Sequence, residues 1–213
     1  MDKNTLFNVV LSADEGYSAH LETVIISLLL NCSTPNEVQL YILDGGLSEE
    51  TRRQIESIVK RFDARIIYNT EARSQYASYT VNSDRMSIAA YYRISIPDIL
   101  PKCCKTALYL DCDIIVEGDI LELKEVDFSN NEAIAAVEDI SRSPAYELLN
   151  IPANHYFNSG MMLLNLEYWR SMEISEKVRQ FKETYHHLLT TNDQCALNGV
   201  LWNNWKRLPP KWN

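Results

Sequence analysis

The apolar run Ala107-Leu108-Tyr109-Leu110 stops at Asp111-Cys112-Asp113, so a segment too apolar to be exposed ends in two carboxylates. Continued by Ile114, Ile115 and Val116, such a run fits a central strand of an α/β sheet, whose carboxyl end opens into the crevice where these sheets bind ligands. Side chains alternate along a strand. The outer residues of Asp-x-Asp then share a side, where Asp111 and Asp113 can hold one hard divalent cation beside a diphosphate while Cys112 turns into the core. The plainer reading is a solvated turn after a strand.

With 213 residues, 46% of them apolar, the chain can bury one full core, and residues 1–213 read as a single domain. The formal net charge of −9, with no basic stripe or arginine-rich arm, argues against a nucleic-acid partner. A phosphate ligand would instead be held by a metal and a few local cations. The cysteines Cys32, Cys103, Cys104, Cys112 and Cys195 are odd in number and lack Cys-x-x-Cys spacing, which fits reduced thiols in the cytoplasm. The most hydrophobic stretch, Val24–Leu30, is too short to span a bilayer and follows acidic residues, so a soluble chain is expected.

Strand and helix patterns alternate along the chain. Leu6–Leu11 reads as a strand, Ser12–Tyr17 as a polar turn and Ser18–Asn31 as a helix, followed by a strand over Val38–Leu43. Ser48 suits an N-cap, Glu49 and Glu50 the positive end of the helix, Ile55, Ile58, Val59 and Phe62 its apolar face, and Lys60 and Arg61 its far end. Arg65–Tyr68 is a third strand. Asn69–Asp84 is expected to be a substrate-facing loop, with Tyr76–Arg85 toward the acceptor, and Met86–Ile96 a helix stopped by Pro97. Further strands are expected over Ala133–Val137 and Met161–Leu166, and a helix with Ile174, Val178, Phe181, Tyr185 and Leu188 on one face. Polar residues gather at the carboxyl ends of these strands: Asp14, Asp111, Asp113 and Asp139, with Asn158-Ser159-Gly160 in the turn before Met161. Simpler roles exist for several. Arg93 can pair with a surface acid, Asp139 and Asn158 can shape turns, and Asp193 can cap the helix that enters Ala196.

The segments Ser12-Ala13-Asp14-x-x-Tyr17, Tyr91-Tyr92-Arg93, Leu108-Tyr109-Leu110-Asp111-Cys112-Asp113 and Ala135-Ala136-Val137-x-Asp139 appear in this order. They are followed by Tyr156-Phe157-Asn158-Ser159-Gly160-Met161-Met162-Leu163-Leu164-Asn165-Leu166-x-x-Trp169-Arg170 and Asn192-Asp193-Gln194-x-x-Leu197-Asn198. The set resembles family eight of the retaining glycosyltransferases, which includes glycogenin and the bacterial lipopolysaccharide galactosyltransferases and glucosyltransferases.

The resemblance implies an α/β fold of GT-A type, a Rossmann-like mixed sheet flanked by helices. It implies transfer of galactose or glucose from UDP-galactose or UDP-glucose to a saccharide or glycolipid acceptor, in lipopolysaccharide or other cell-surface glycan synthesis. By the same pattern Asp14 and Tyr17 would hold the uracil and ribose, with Ala13, Cys112 and Ser159 among the nucleotide-sugar contacts, and Arg93 would reach the diphosphate or sugar. Asp111 and Asp113 would bind Mn2+ or Mg2+. Asp139, Asn158, Gly160 and Asp193 would grip sugar hydroxyls. Gln194 would sit near the anomeric carbon and form the catalytic set with Asp193 and Asp139. Retention through same-face departure and retention through a double displacement on Gln194 or Asp193 both remain open.

The sequence departs from the family after Leu208-Pro209-Pro210-Lys211-Trp212-Asn213. The family's C-terminal His, which completes the metal shell, its Gly-x-x-Lys-Pro-Trp cover and its basic, aromatic membrane-docking tail are all absent. The expectation is a truncated chain with a solvent-open site, cytoplasmic or peripheral on the inner face of the membrane. Two alternatives compete with the transferase. One is a catalytically impaired UDP-sugar-binding remnant. The other is a haloacid-dehalogenase-like phosphotransferase, disfavoured because its Asp-x-Asp follows the first strand and wants Thr or Val where Ile115 stands.

Overall fold

The computed structural model describes residues 6–80, 87–141, 145–189 and 192–213. In chain order the elements are β1 (Phe7–Ala13), α1 (Ser18–Asn31), β2 (Val38–Asp44), α2 (Glu49–Arg61), β3 (Arg65–Asn69), α3 (Glu71–Gln75), a 3-10 segment (Ile88–Ser95) and α4 (Ile96–Ile99). They continue with β4 (Thr106–Leu110), β5 (Ile134–Glu138), α5 (Ala145–Leu148), β6 (Phe157–Asn165), α6 (Leu166–Ser171), α7 (Ile174–Tyr185), α8 (Asn192–Leu201) and β7 (Trp205–Arg207).

The strands form one mixed sheet in the order β3-β2-β1-β4-β6-β5-β7. β1 pairs in parallel with β2 and β4, whereas β6 runs antiparallel to both β4 and β5. This reversal brings the amino end of β6, Phe157–Gly160, to the edge where β1, β4 and β5 end.

Alternation along the strands builds a core on each face. Val9, Leu11, Leu40, Ile42, Leu108 and Leu110 pack with Leu21, Ile25 and Leu28 of α1 and Ile55 and Val59 of α2. Val10, Tyr41, Ala107, Tyr109, Met162 and Leu164 pack on the opposite side with Ile94, Trp169, Val178 and Leu197. Each fully buried Leu or Ile contributes about 2 kcal/mol by leaving water. The Trp169-Arg170 pair is structural. Trp169 Nε1 donates to Ala133 O at 2.9 Å, and Arg170 ties down the turn before β4 by donating to Pro97, Leu100 and Cys104 carbonyls at 2.9, 3.0 and 2.8 Å.

Several expectations hold. Ser48 caps α2, its Oγ accepting from Thr51 N at 3.1 Å, and α1 spans the expected residues. Others need correction. The stretch from Asn69 contains α3 and the fully buried Tyr76, whose ring meets Tyr79, Tyr91 and Tyr92, because aromatic burial recruits what polarity marks as a loop. Residues 81–86, including Arg85 and Met86, lie outside the described set. Pro97 opens α4 rather than stopping a helix, its missing N–H being harmless in a first turn. Asn158-Ser159-Gly160 is strand, not turn.

β4 ends at Leu110, so Asp111–Asp113 is a turn past the strand and Ile115 is exposed. Strand alternation therefore does not govern Asp-x-Asp. Asp193 lies inside the first turn of α8 and is buried, its carboxylate accepting from the backbone N–H groups of Asp193 and Gln194 at the start of that helix. α7 stops at Tyr185, leaving Leu188 in the 3-10 turn that follows. The short strand β7, absent from the sequence reading, extends β5 in parallel.

Candidate active site

Arg93 is the centre of the edge formed by β1, β4, β6 and β5. It comes from the 3-10 segment and is buried, so every N–H it carries needs a partner. Nη2 donates to Asp111 Oδ1 at 2.7 Å, Nη1 to Ser159 O at 2.8 Å and Ser159 Oγ at 3.2 Å, and Nε to Ala90 O at 2.8 Å. The guanidinium also lies 4.4 Å from the centre of the Tyr109 ring. Nε approaches Asp193 Oδ2 at 2.9 Å, but its hydrogen is aimed at Ala90 O. That contact is charge on charge, and Asp193 Oδ2 is left as a buried carboxylate oxygen with no hydrogen-bond donor among the described residues. Burial accordingly raises the Asp193 carboxyl to about 6, with Arg93 opposing and Asp111 reinforcing the shift.

Asp111 is held from three sides. Its Oδ1 accepts from Arg93 and from Tyr109 OH, the latter at 2.7 Å, and its backbone N donates to Gly160 O at 2.7 Å. Tyr109 OH also lies 3.3 Å from Ser12 Oγ. Cys112 is buried as expected, its Sγ donating to Ser12 O at 3.2 Å, and burial pushes its thiol up to about 12. Asp113 is exposed. Among the described residues no group of three or more His, Cys, Asp or Glu side chains is placed to hold a metal.

Beyond Arg93 the β6 backbone leads to a second cluster. Gln194 Oε1 accepts from Ser159 N at 3.0 Å and Ser159 Oγ at 3.3 Å, and Gln194 Nε2 donates to Asp139 Oδ2 at 2.8 Å. Asp139 Oδ1 takes Ser141 N at 2.8 Å, and Asn158 Oδ1 takes Gly160 N at 2.7 Å. Asn198, one turn along α8, anchors the helix by pairing with Phe157 N and O at 2.8 and 2.9 Å.

On the β1 side a cleft of about 180 Å³ is lined by Ser12, Ala13, Tyr17, Ser87, Arg93, Tyr109, Asp111, Cys112 and Asp113. Asp14 lines a neighbouring hollow with Gly45, Arg73 and Tyr92, and its Oδ2 accepts from Ser87 Oγ, which lines both, at 2.5 Å. The structure thus joins Arg93 to Asp111, Asp193 and Ser159, and Gln194 to Ser159 and Asp139. It places Ala13, Tyr17, Cys112 and Asp113 around the cleft. Tyr109 and Ser87 were missed as site residues. Tyr109 stands inside a quoted motif but reads as a core aromatic, and nothing in the sequence marks Ser87.

Residues 8–213 match the family described as glycosyl transferase family 8. General stress protein A of Bacillus subtilis is 36% identical over 217 residues, covering 100% of this chain and 75% of that protein. A crystal structure of the galactosyltransferase LgtC, in complex with donor and acceptor sugar analogs, superposes with a TM-score of 0.85 at 24% identity, over 94% of this chain and 73% of that one. For the glycosyltransferase GlyE of Streptococcus pneumoniae TIGR4 the values are 0.77 and 25%, over 99% and 47%. The fold is the GT-A arrangement expected from the sequence. Carrying the family's pattern over nearly its whole length, this chain belongs to glycosyl transferase family 8.

Proposed function

We propose that the chain is a metal-dependent retaining hexosyltransferase, moving galactose or glucose from UDP-galactose or UDP-glucose to a saccharide or glycolipid acceptor in lipopolysaccharide or other cell-surface glycan synthesis. The observation that carries this reading is Arg93, a buried cation fixed between Asp111 and Asp193 beside the cleft. Three of its partners are already set before any ligand arrives, and among the described residues one Nη2 hydrogen remains for a ligand oxygen. Cleaving the anomeric bond leaves negative charge on the β-phosphate, and a preorganised guanidinium in a low-dielectric setting stabilises charge where it develops.

The cleft order supports the same donor. Asp14, Ala13 and Tyr17 on the β1 side suit the nucleoside, and Asp139, Asn158, Gly160, Asp193 and Gln194 on the far side suit the hexose. Asp111 and Asp113 offer hard carboxylate oxygens, which fit Mn2+ or Mg2+. When bound there, the ion would supply Lewis-acid screening of the diphosphate. The departing phosphate oxygen is then the base for the acceptor hydroxyl on the same face, which keeps the anomeric configuration. The family match over residues 8–213 leaves the phosphotransferase alternative without support.

Among the described residues no helix is long and apolar enough to cross a membrane. A cytoplasmic or inner-face peripheral location is part of the proposal. The test is release of UDP from UDP-galactose and UDP-glucose with Mn2+, with Mg2+ and with chelator. Metal-dependent release from either donor is expected. UDP binding without any release would replace the transferase with the impaired-remnant reading, and failure to bind UDP would overturn both.

A further inference from the structure

Ser159 stands between the two halves of the site and is 3% exposed. Arg93 can only donate, so the Ser159 oxygens it touches, the carbonyl at 2.8 Å and Oγ at 3.2 Å, are acceptors in those contacts. With Oγ accepting from Arg93, the hydroxyl hydrogen is free to point at its other polar neighbour, Gln194 Oε1 at 3.3 Å. The backbone N–H of Ser159 also points at that oxygen, at 3.0 Å. On the far side Gln194 Nε2 donates to Asp139 Oδ2 at 2.8 Å. A backbone N–H must face a carbonyl and a carboxylate must face an NH2, so the chemistry of the neighbours, rather than the assignment of atoms, settles which way the Gln194 amide lies.

We infer that Ser159 is a positioning residue that couples Arg93 to Gln194 and presents Gln194 to the sugar as a hydrogen-bond donor, with its carbonyl turned away. The inference rests on the proposed hexosyl transfer. Both lone pairs of Gln194 Oε1 are engaged by Ser159, so attack by that oxygen on the anomeric carbon would break two hydrogen bonds. What remains unpartnered among the described residues is the second amide hydrogen, suited to a sugar hydroxyl or ring oxygen. The same serine fixes Arg93 Nη1 through its carbonyl and its hydroxyl, so the cation that meets the diphosphate and the amide that meets the hexose are registered by one residue, whose Oγ bridges the two side chains directly.

The test uses the full chain with Ser159→Ala and Ser159→Thr, assayed for UDP release from UDP-galactose and UDP-glucose, with UDP affinity measured by calorimetry. Ser159→Ala is expected to lower kcat about tenfold, the size of one charge-assisted hydrogen bond, with KM for the donor and Kd for UDP changed less than about twofold. Ser159→Thr, which keeps the hydroxyl, should recover most of kcat. An unchanged kcat in the alanine variant, an equal loss of UDP affinity, or a folded threonine variant no better than alanine would each overturn the inference.

A second readout does not depend on turnover. The Gln194 side-chain amide resonances, assigned through Gln194→Ala, should shift in Ser159→Ala. Identical resonances would overturn the positioning role. Shifted resonances in a protein that releases no UDP would leave the positioning in place and count against the transferase reading instead.

Discussion

Gly160 and Asp111 are packed so closely that a Cβ at position 160 would stand 2.9 Å from Asp111 Oδ2, and 3.1 Å from Asn158 Oδ1. The absent side chain is what lets the Asp111 carboxylate lie along β6 while its backbone N donates to Gly160 O at 2.7 Å. Gly160→Ala should push that carboxylate off Arg93 and Tyr109. Calorimetry with UDP and Mn2+ should show at least a tenfold loss of affinity, about 1.4 kcal/mol. Native affinity would show that Asp111 has room to move without consequence.

Asp111 and Asp113 differ in burden, so their amides should separate binding from stability. Asp113 is exposed, and Asp113→Asn should leave stability within about 0.5 kcal/mol. Asp111 accepts from Arg93 and Tyr109, and Asp111→Asn, which weakens the pairing of a buried cation, should cost about 1–3 kcal/mol. Both should remove Mn2+-dependent UDP binding. Urea denaturation and calorimetry on the two variants check this, and intact binding in both would remove the metal assignment.

Asp193 should leave a mark on the pH dependence of stability. Burial raises its carboxyl to about 6 in the folded chain, whereas an unfolded Asp releases its proton near about 3.9. The native state therefore holds the proton more tightly. This group's contribution is full below about pH 4, falls as pH rises through the window from about 4 to 6, and is lost above it. Asp193→Asn removes the slope, so the variant should gain on the wild type between pH 4 and pH 7 in urea titrations. A difference that stays constant over that range would mean that Asp193 is ionised throughout.

The sequence pattern carried the sheet and the list of polar residues at its edge, because alternation, caps and turn residues are local signals. What it missed depends on distant partners. Asn158-Ser159-Gly160 has turn chemistry, yet the pairs on either side of it, Phe157 with Glu138 of β5 and Met161 with Leu110 of β4, draw it into a strand. Tyr76 sits in a polar stretch, and only the rings of Tyr79, Tyr91 and Tyr92 make it core. β7 is three residues long, too short for a period to show, and is defined by its register with β5. Asp-x-Asp was placed at the right strand end for a reason that fails, since β4 stops at Leu110. Asp111 is oriented instead by Arg93, which lies 18 residues earlier in the chain.

The proposed sugar side of the site gives the last prediction. Asp139 is held in place by Ser141 N on one oxygen and Gln194 Nε2 on the other, and Asn158 Oδ1 is held by Gly160 N, so neither side chain must reorganise to meet a hexose. Both stand across Arg93 from Asp14 and Tyr17, the expected nucleoside contacts. Asp139→Ala or Asn158→Ala should therefore leave UDP affinity nearly intact while reducing the preference for UDP-hexose over UDP. Each lost hydrogen bond to a hydroxyl is worth about 0.5–1.5 kcal/mol. Asp139→Ala should also lower kcat, because Gln194 loses the acceptor that orients its NH2. Calorimetry with UDP, UDP-galactose and UDP-glucose on each variant separates the contributions, and equal losses for UDP and for the UDP-sugars would move these residues out of the sugar pocket.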